Sequence, residues 1–134
     1  MAERILVVDD TRTVRRLQEV MLRQEGYEVL AASDGEMALE LIAERPPDLV
    51  LLDLMMPRMD GIECCRRIKS QPQTRGIKVV MVTSKDERAE VRKAFDAGCD
   101  GFITKPVQKE ELLRQVASLL RIARARAQLK GLMK

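Results

Sequence analysis

The chain alternates short apolar runs with longer segments in which apolar residues recur every three or four positions. The apolar runs cover Arg4–Val8, Glu28–Ala32, 48–52, 77–82 and Gly101–Thr104. Each run has the length of a strand, and the segments between them have the helical period. Continuous apolar strands that alternate with helices are typical of a parallel sheet covered on both faces. The pattern therefore predicts an α/β fold built from five βα units with right-handed crossovers.

Capping residues mark where two of the helices begin. SDGE at 33–36 and SKDE at 84–87 match capping boxes, in which a serine and a glutamate three residues later satisfy free amides at a helix start. These motifs predict the starts of the second and fourth helices. The other helices are expected at 11–24, at 60–70 and from Val107 onward. The side chains expected to face the core from the first and fourth helices are Val14, Leu17, Met21, Val91, Ala94 and Phe95.

Polar residues follow several of the predicted strands at their carboxyl ends. Asp9 and Asp10 follow the first strand, and Asp53 follows the third. Thr83 follows the fourth strand, and Lys105 follows the fifth. Ligands of open α/β sheets bind outside the carboxyl ends of the strands, so we expect these side chains to lie together at one edge. Asp53 is then the position at which a buried strand reaches a shared polar site.

The predicted cluster has a definite chemistry. Three neighbouring carboxylates repel one another unless they hold a proton or bind a cation. An oxygen-rich site suits Mg²⁺, which takes one or two carboxylates and keeps several waters. With an amine and a hydroxyl alongside, Asp53 can attack a phosphoryl group and form an aspartyl phosphate. Taken singly, the same residues also fit helix caps or a surface lysine; their convergence favours the chemical role.

Composition narrows the class of protein further. A chain of 134 residues with 46% apolar residues has the size and the core of one globular domain. It has no histidine, which excludes zinc sites built on histidine and a histidine general base. No apolar run approaches the about 20 residues that span a bilayer, and the start of the chain does not resemble a signal peptide. Three cysteines, two of them adjacent, fit buried side chains in a reducing cytosol.

Basic charge concentrates at the C-terminal end of the chain. Residues 112–134 include six basic residues and no acidic one, whereas acidic residues outnumber basic ones in the remainder. A solvated helix end explains this most simply. A linker helix to an output domain, a dimerising helix that uses Leu129 and Leu132, and a weak contact with an anionic surface are the alternatives. No aromatic residues interleave with the basic ones, so direct nucleic-acid binding is not expected.

Four motifs resemble those of the receiver domains of two-component response regulators: VVDD, LLDLMMPRMDG, MVTS and AGCDGFITKP. The resemblance covers about residues 3–122 and leads us to expect a receiver domain over 1–122, followed by a basic extension of the last helix over 123–134. It implies the flavodoxin-like topology with strand order 2-1-3-4-5. It also implies a cis peptide bond between Lys105 and Pro106.

The resemblance further implies roles for the residues of the predicted site. Asp53 matches the phosphoacceptor, and Lys105 matches the lysine that pairs with the phosphoryl group. Thr83 matches the hydroxyl switch residue and Phe102 the aromatic one. The implied ligands of Mg²⁺ are Asp9, Asp10, Asp53 and the backbone carbonyl of Met55.

The function implied is a signalling switch rather than an enzyme. It would accept a phosphoryl group from a sensor histidine kinase or a phosphotransfer protein in the cytoplasm, without contacting a membrane. It would then signal to a downstream protein through the face formed by the fourth helix, the fifth strand and the fifth helix. This face and the C-terminal helix both offer a contact for a homodimer.

Four alternatives remain beside this interpretation. One is a Mg²⁺-dependent phosphatase with an aspartyl nucleophile, although Met55 lies where such enzymes usually have a second acid. Another is a nucleotide binder, although no G-x-G-x-x-G follows the first strand. The others are a receiver fragment of a larger regulator whose output domain is missing, and a receiver that works without phosphorylation.

Overall fold

A computed structural model describes residues 2–132, which form one parallel sheet between two layers of helices. The strands are β1 (Arg4–Val8), β2 (Glu28–Ala32), β3 (Leu49–Asp53), β4 (Lys78–Thr83) and β5 (Gly101–Thr104). The helices are α1 (Arg12–Gln24), α2 (Gly35–Glu44), α3 (Gly61–Lys69), α4 (Val91–Asp96) and α5 (Lys109–Leu132), and a 3₁₀ segment, Lys85–Glu90, leads into α4. The strand order is 2-1-3-4-5. The predicted α/β fold and its strand order are confirmed.

The central strands send alternate side chains into two hydrophobic clusters, one on each face of the sheet. In β3, Val50 and Leu52 join the cluster under α2, α3 and α4. Leu49 and Leu51 join the cluster under α1 and α5. All four are fully buried, which explains why this strand appears in the sequence as an unbroken apolar run. Burial of each such side chain stabilises the fold by about 1.5–3 kcal/mol.

Strands β3 and β4 both end one residue later than the sequence pattern predicts. The backbone ladder pairs Asp53 with Val82, and Thr83 with Thr104. Both polar residues are therefore the last residues of strands rather than the first residues of loops. Pairing continues for as long as a neighbouring strand runs alongside, which hydrophobicity alone does not reveal. The ladder holds these two side chains at the carboxyl edge of the sheet.

The inward face of α1 differs from the prediction. Leu17 is 54% exposed, whereas Gln18 and Leu22 are buried. The guanidinium of Arg15 donates a hydrogen bond to the backbone carbonyl of Asp9 at 2.8 Å. Residues three or four positions apart share a helical face, so this bond and the packing of Leu22 in the core together set the rotation of the helix. The prediction that Leu17 faces the core is wrong for this reason.

One of the two predicted capping boxes is present. The Ser84 amide donates to Glu87 Oε1 at 2.6 Å where the 3₁₀ segment begins. At the start of α2, the cap is Asp34 rather than Ser33, because the Asp34 carboxylate accepts a hydrogen bond from the Met37 amide at 2.8 Å. Aspartate and serine cap helices about equally well, so adjacent candidates could not be separated by residue type.

Phe95 lies at the surface, contrary to the prediction that it faces the core. Its side chain is 44% exposed, and Ala94 is the buried residue of α4. The Phe95 ring meets the Phe102 ring edge to face, with the ring centroids 6.0 Å apart. Such a pair contributes about 0.5–1.5 kcal/mol beyond the burial of its area. It places an aromatic contact on the face that α4 shares with β5.

Helix α5 continues well beyond its contact with the core. Its buried residues are Leu112, Val116 and Leu120, and the helix extends to Leu132. Leu129 and Leu132 are 58% and 82% exposed. Residues 133 and 134 of the predicted basic extension lie outside the described residues. Within residues 2–132, no helix combines the length and the apolar character that crossing a membrane requires.

The three cysteines are core side chains, as predicted. Cys64, Cys65 and Cys99 are buried and form no disulfide with one another. Burial raises the pKa of each thiol to about 12. Since the thiolate is the reactive form, these thiols are inert at neutral pH.

Candidate functional site

The loops and strand ends at the carboxyl edge of the sheet bring together four of the predicted site residues. Asp9, Asp10 and Asp53 each place one carboxylate oxygen within 4.8 Å of the other two. Lys105 Nζ lies 3.2 Å from Asp53 Oδ1 and 3.5 Å from Asp9 Oδ2. The Lys105–Pro106 bond is cis. Three acids and one amine thus share a single polar site.

Asp9 is completely buried and is braced by the start of α1. Its Oδ1 accepts a hydrogen bond from the Thr11 amide at 2.8 Å, and its backbone carbonyl accepts from Arg15. Among the described residues, Asp9 Oδ2 has no hydrogen-bond partner. A buried carboxylate oxygen is costly in that state, so Oδ2 is open to a further positive ligand. The sequence analysis did not predict the hydrogen bond from Arg15 to the Asp9 carbonyl. The only indication in the sequence is that a basic residue lies in the first turn of α1.

The site shifts the proton affinity of Asp53 and Lys105. Burial, and after it the Asp9 carboxylate, raise the pKa of the Asp53 carboxyl to about 7, even though the Lys105 ammonium lowers it. Burial lowers the pKa of Lys105, but the carboxylates of Asp53 and Asp9 outweigh burial and leave that pKa raised. Asp53 therefore exchanges its proton close to neutral pH, while Lys105 stays charged.

The three carboxylates fit a hard divalent cation such as Mg²⁺. Such an ion prefers oxygen ligands, and its charge would offset both the burial and the carboxylate repulsion that raise the pKa of Asp53. The backbone carbonyl of Met55, the fourth predicted ligand, accepts no backbone hydrogen bond from the rest of residues 2–132. The Met55 side chain is 57% exposed. The donor set is consistent with the predicted metal site.

The loop that follows Asp53 closes at Gly61, the first residue of α3. The Gly61 amide donates to the Leu54 carbonyl at 2.7 Å. A Cβ at Gly61 would collide with the carbonyl oxygen of Asp53 and would lie 2.9 Å from Leu54 Cα. Only glycine fits so close an approach of two backbone segments. The Asp-Gly pair at 60–61 signals a turn in the sequence, but its contact with Asp53 became visible only in the fold.

Replacement of Gly61 by alanine is expected to destabilise the protein by about 2 kcal/mol, because the backbone beside Asp53 must move to admit the methyl group. Urea unfolding followed by circular dichroism measures the effect. Gly76→Ala is the matched control, since a Cβ at Gly76 would meet no atom within 4 Å. It is expected to change the free energy of unfolding by less than about 1 kcal/mol. A Gly61→Ala variant as stable as wild type would contradict the close approach.

Thr83 and Phe102, the two predicted switch residues, lie next to this site and on the adjoining face. Thr83 is completely buried, and its hydroxyl finds no hydrogen-bond partner among the described residues. A buried hydroxyl in that state is available to the oxygen of a ligand. The Lys105 amide donates to the Thr83 carbonyl at 2.6 Å, which links the end of β4 to Lys105. Phe102 is partly buried and packs against the cluster under α2, α3 and α4.

Comparison with known sequences identifies a family. The profile described as the response regulator receiver domain matches residues 5–117. Response regulator PleD of Caulobacter vibrioides (strain NA1000 / CB15N) is 46% identical over 121 residues, which are 90% of this chain and 27% of PleD. Response regulator MprA of Mycobacterium sp. (strain KMS) is 45% identical over 121 residues, which are 90% of this chain and 52% of MprA. The chain therefore spans only part of the length of these relatives.

Solved structures of related proteins have the same fold. A CheY-like response regulator receiver domain protein of Methanospirillum hungatei JF-1 superposes with a TM-score of 0.88 at 29% identity, over 94% of this chain and 99% of that one. NtrX of Brucella abortus superposes with a TM-score of 0.91 at 32% identity, over 98% of this chain and 30% of NtrX. With the profile match and the acidic site at the edge of the sheet, these similarities establish that the chain belongs to the response regulator receiver domain family.

Proposed function

We propose that this chain is a phosphorylation-dependent switch in which Asp53 accepts a phosphoryl group from a phosphohistidine of a sensor histidine kinase or phosphotransfer protein. The observation that carries the proposal is the Lys105 ammonium 3.2 Å from Asp53 Oδ1, beside the oxygens of Asp9 and Asp10. Phosphoryl transfer requires chiefly positioning and charge neutralisation from a protein. Uptake of one phosphoryl group per chain from such a donor, measured by intact mass, is the direct test.

The transfer forms one bond and breaks one. An ionised oxygen of Asp53 attacks phosphorus, and the new O–P bond forms as the N–P bond of the donor breaks. The electron pair of the N–P bond stays on the imidazole nitrogen of the donor. Lys105 then pairs with a phosphoryl oxygen and stabilises its charge. Bound Mg²⁺ would supply further charge neutralisation, with the ligands Asp9, Asp10, Asp53 and the backbone carbonyl of Met55.

Phosphorylation would offer the Thr83 hydroxyl a hydrogen-bond acceptor. The segment that follows Thr83, Lys85–Glu90, buries no residue, so little packing resists a movement of this segment when the Thr83 hydroxyl turns toward the phosphoryl group. That movement changes the space around Phe102, whose ring contacts the exposed ring of Phe95. We place the output at this face, formed by α4, β5 and α5, where a downstream protein would distinguish the two states.

An apolar groove beside the site fits the docking of the phosphodonor. The groove has a volume of about 420 Å³ and lies between α1 and the loop that joins β5 to α5. Leu17 is exposed on its wall, and Lys105 lines it, which makes it continuous with the polar site. Its other apolar lining residues are Val14, Met21, Pro106 and Val107. Exposed apolar surface next to reacting groups is typical of a partner contact, and the donor must approach Asp53 from this edge.

Substitution Leu17→Glu is expected to slow transfer from a phosphohistidine donor about tenfold, because a charge in the groove opposes docking. Transfer from acetyl phosphate, which needs no docking, is expected to be unchanged. Both rates are measured with a purified phosphotransfer protein that phosphorylates the wild-type chain. Leu129→Glu makes the same change at another exposed leucine and serves as the control. A Leu17→Glu variant that accepts phosphoryl groups from the protein donor at the wild-type rate would remove the groove from the proposal.

A further inference from the structure

A second polar cleft lies at the opposite edge of the sheet from Asp53, beside the amino-terminal end of β4. It is enclosed by α5 on one side and by the loop between α3 and β4 on the other, and its volume is about 480 Å³. Volumes of about 300–1,000 Å³ are usual for small-molecule sites. The charged residues that line the cleft are Lys69, Arg75, Lys78, Asp100, Arg126 and Lys130.

The single acid in this lining is already neutralised. Asp100 Oδ2 accepts hydrogen bonds from Lys69 Nζ at 2.9 Å and from the Val79 amide at 2.8 Å. Lys69 Nζ also donates to the backbone carbonyl of Ile77 at 2.7 Å, so both partners of this ion pair have their hydrogen bonds within the protein. The positive charge left to face the cleft belongs to Arg75, Lys78, Arg126 and Lys130.

Lys78 is the residue that points to a ligand. Only 7% of it is exposed, yet its Nζ lies 3.8 Å from Asp100 Oδ1, which is too far for a hydrogen bond. Within residues 2–132, that oxygen is the nearest acidic group to the Lys78 ammonium. The stem of Lys78 is buried, while its ammonium lines the cleft and has three N–H donors. An anion in the cleft would accept hydrogen bonds from them.

The uncharged walls of the cleft keep it open. They are formed by Gly76, Ala123 and Ala127. A Cβ at Gly76 would meet no atom within 4 Å, and the two alanines on α5 are the smallest side chains that a helix can present there. Among the described residues that line the cleft, none has a large apolar side chain against which a hydrophobic ligand could pack. The space therefore suits a compact polar ligand.

We propose that this cleft binds a small soluble anion that bears phosphate groups. Arg75 and Arg126 offer planar guanidinium groups, which bind phosphate oxygens in pairs. Lys78 and Lys130 add two point charges to the same volume. A ligand of this size balances so much positive charge only if it carries several negative charges close together, as phosphate groups do.

Binding would connect the C-terminal part of α5 to the body of the domain. Arg126 and Lys130 lie beyond Leu120, the last buried residue of the helix, whereas Lys78 and Arg75 belong to β4 and the loop before it. An anion held by both sets joins them, and whatever displaces this part of α5 weakens anion binding in return. The basic extension thereby gains a ligand-dependent role that is separate from the core.

Titration of the full chain with pyrophosphate in Mg²⁺-free buffer, followed by amide NMR shifts, tests the proposal. Saturable binding at one site is expected, with the largest shifts around Gly76 and Lys78. The double variant Arg126→Gln/Lys130→Gln is expected to bind about tenfold more weakly, because two charge-assisted contacts are lost. Arg114→Gln/Arg121→Gln removes the same charge from exposed positions of α5 outside the cleft and is expected to bind within about twofold of wild type.

Three results would overturn the proposal. Equal weakening in the two double variants would mean a general attraction of anions to a basic helix. Wild-type affinity in Ala127→Leu, which fills the cleft without a change of charge, would mean that the anion lies elsewhere. Binding to phosphatidylglycerol vesicles or to an acidic peptide, without binding to pyrophosphate, would assign the surface to a membrane or a protein. No phosphodonor is present, so the outcome is independent of the role of Asp53.

Discussion

Asp53→Asn is expected to abolish the uptake of a phosphoryl group from acetyl phosphate in the presence of Mg²⁺, whereas the wild-type chain gains the mass of one such group. The amide that replaces the carboxylate offers no anionic oxygen to attack phosphorus. Lys105 pairs with both Asp53 and Asp9, but it lies nearer to Asp53 Oδ1, at 3.2 Å, and donates a hydrogen bond to that oxygen. Intact-mass measurement within minutes of mixing records the adduct before hydrolysis removes it.

The matched control for this experiment is Asp96→Asn. Asp96 is an exposed acid of α4, and its replacement is expected to leave the adduct at its wild-type level. An adduct of undiminished size in Asp53→Asn would assign the phosphoacceptor to another residue. Continuous release of phosphate by the wild-type chain, with no adduct at any time, would instead favour the phosphatase-type alternative.

The same substitution is expected to stabilise the fold in metal-free buffer at pH 8. The folded-state pKa of Asp53 is about 7, well above its ordinary value of 3.8. Below about pH 4 the Asp53 carboxyl is mostly neutral in both the folded and the unfolded chain, so it has little effect on the free energy of unfolding. Stability is lost as the pH rises from there through 7, because the unfolded chain ionises more readily than the folded one. The loss is on the order of 2–3 kcal/mol, after allowance for screening by water at the rim of the sheet.

Urea unfolding in EDTA at pH 4.5, 6 and 8 measures this pH dependence, where the pH values are chosen to bracket the folded-state pKa of about 7. The difference between Asp53→Asn and wild type is expected to be small at the lowest pH and largest at the highest. Asp96→Asn again serves as the control, with no pH-dependent difference. A variant that is less stable than wild type at the highest pH would show that the Lys105 ion pair outweighs the burial of Asp53.

Addition of Mg²⁺ at the highest of these pH values is expected to reverse the order of stability. An ion that binds only the folded state stabilises it in proportion to its affinity and concentration. The wild-type chain keeps all three carboxylates and is expected to be stabilised more by Mg²⁺ than Asp53→Asn, which has lost one predicted ligand. The metal and the variant both relieve the cost of an ionised Asp53 that is buried beside another carboxylate, so their effects are not expected to add.

Much of the site could be predicted because its residues follow strands, and the rule for open α/β sheets places the carboxyl ends of parallel strands together. Asp9, Asp10, Asp53 and Lys105 meet at that edge as expected. This rule does not predict which hydrogen bonds and contacts hold each side chain in position. The bond from Arg15 to the Asp9 carbonyl depends on the rotation of α1, which the apolar pattern alone assigned to the wrong face.

The errors in the helices have a common origin. The helical period shows that α1 is amphipathic, but it does not show which face is buried. Leu17 and Leu22 lie on different faces, and packing against the sheet buries the face of Leu22. Helical spacing predicts that Phe95 faces the core together with Val91 and Ala94. In the fold, α4 is short and Phe95 lies at its surface against Phe102. Which of two adjacent residues is buried depends on contacts with residues that are far away in the sequence.

By itself, the sequence determined the parallel sheet, the order of its βα units and the acids at its carboxyl edge, because apolar runs, helical period and caps are local signals. The tertiary structure alone decided that Asp53 and Thr83 end ladders rather than begin loops, and that α1 presents Leu17 to solvent. It also alone brought Lys78 of β4 beside Arg126 of α5 in one basic cleft. These features are contacts between distant segments, and no local pattern records which segments become neighbours.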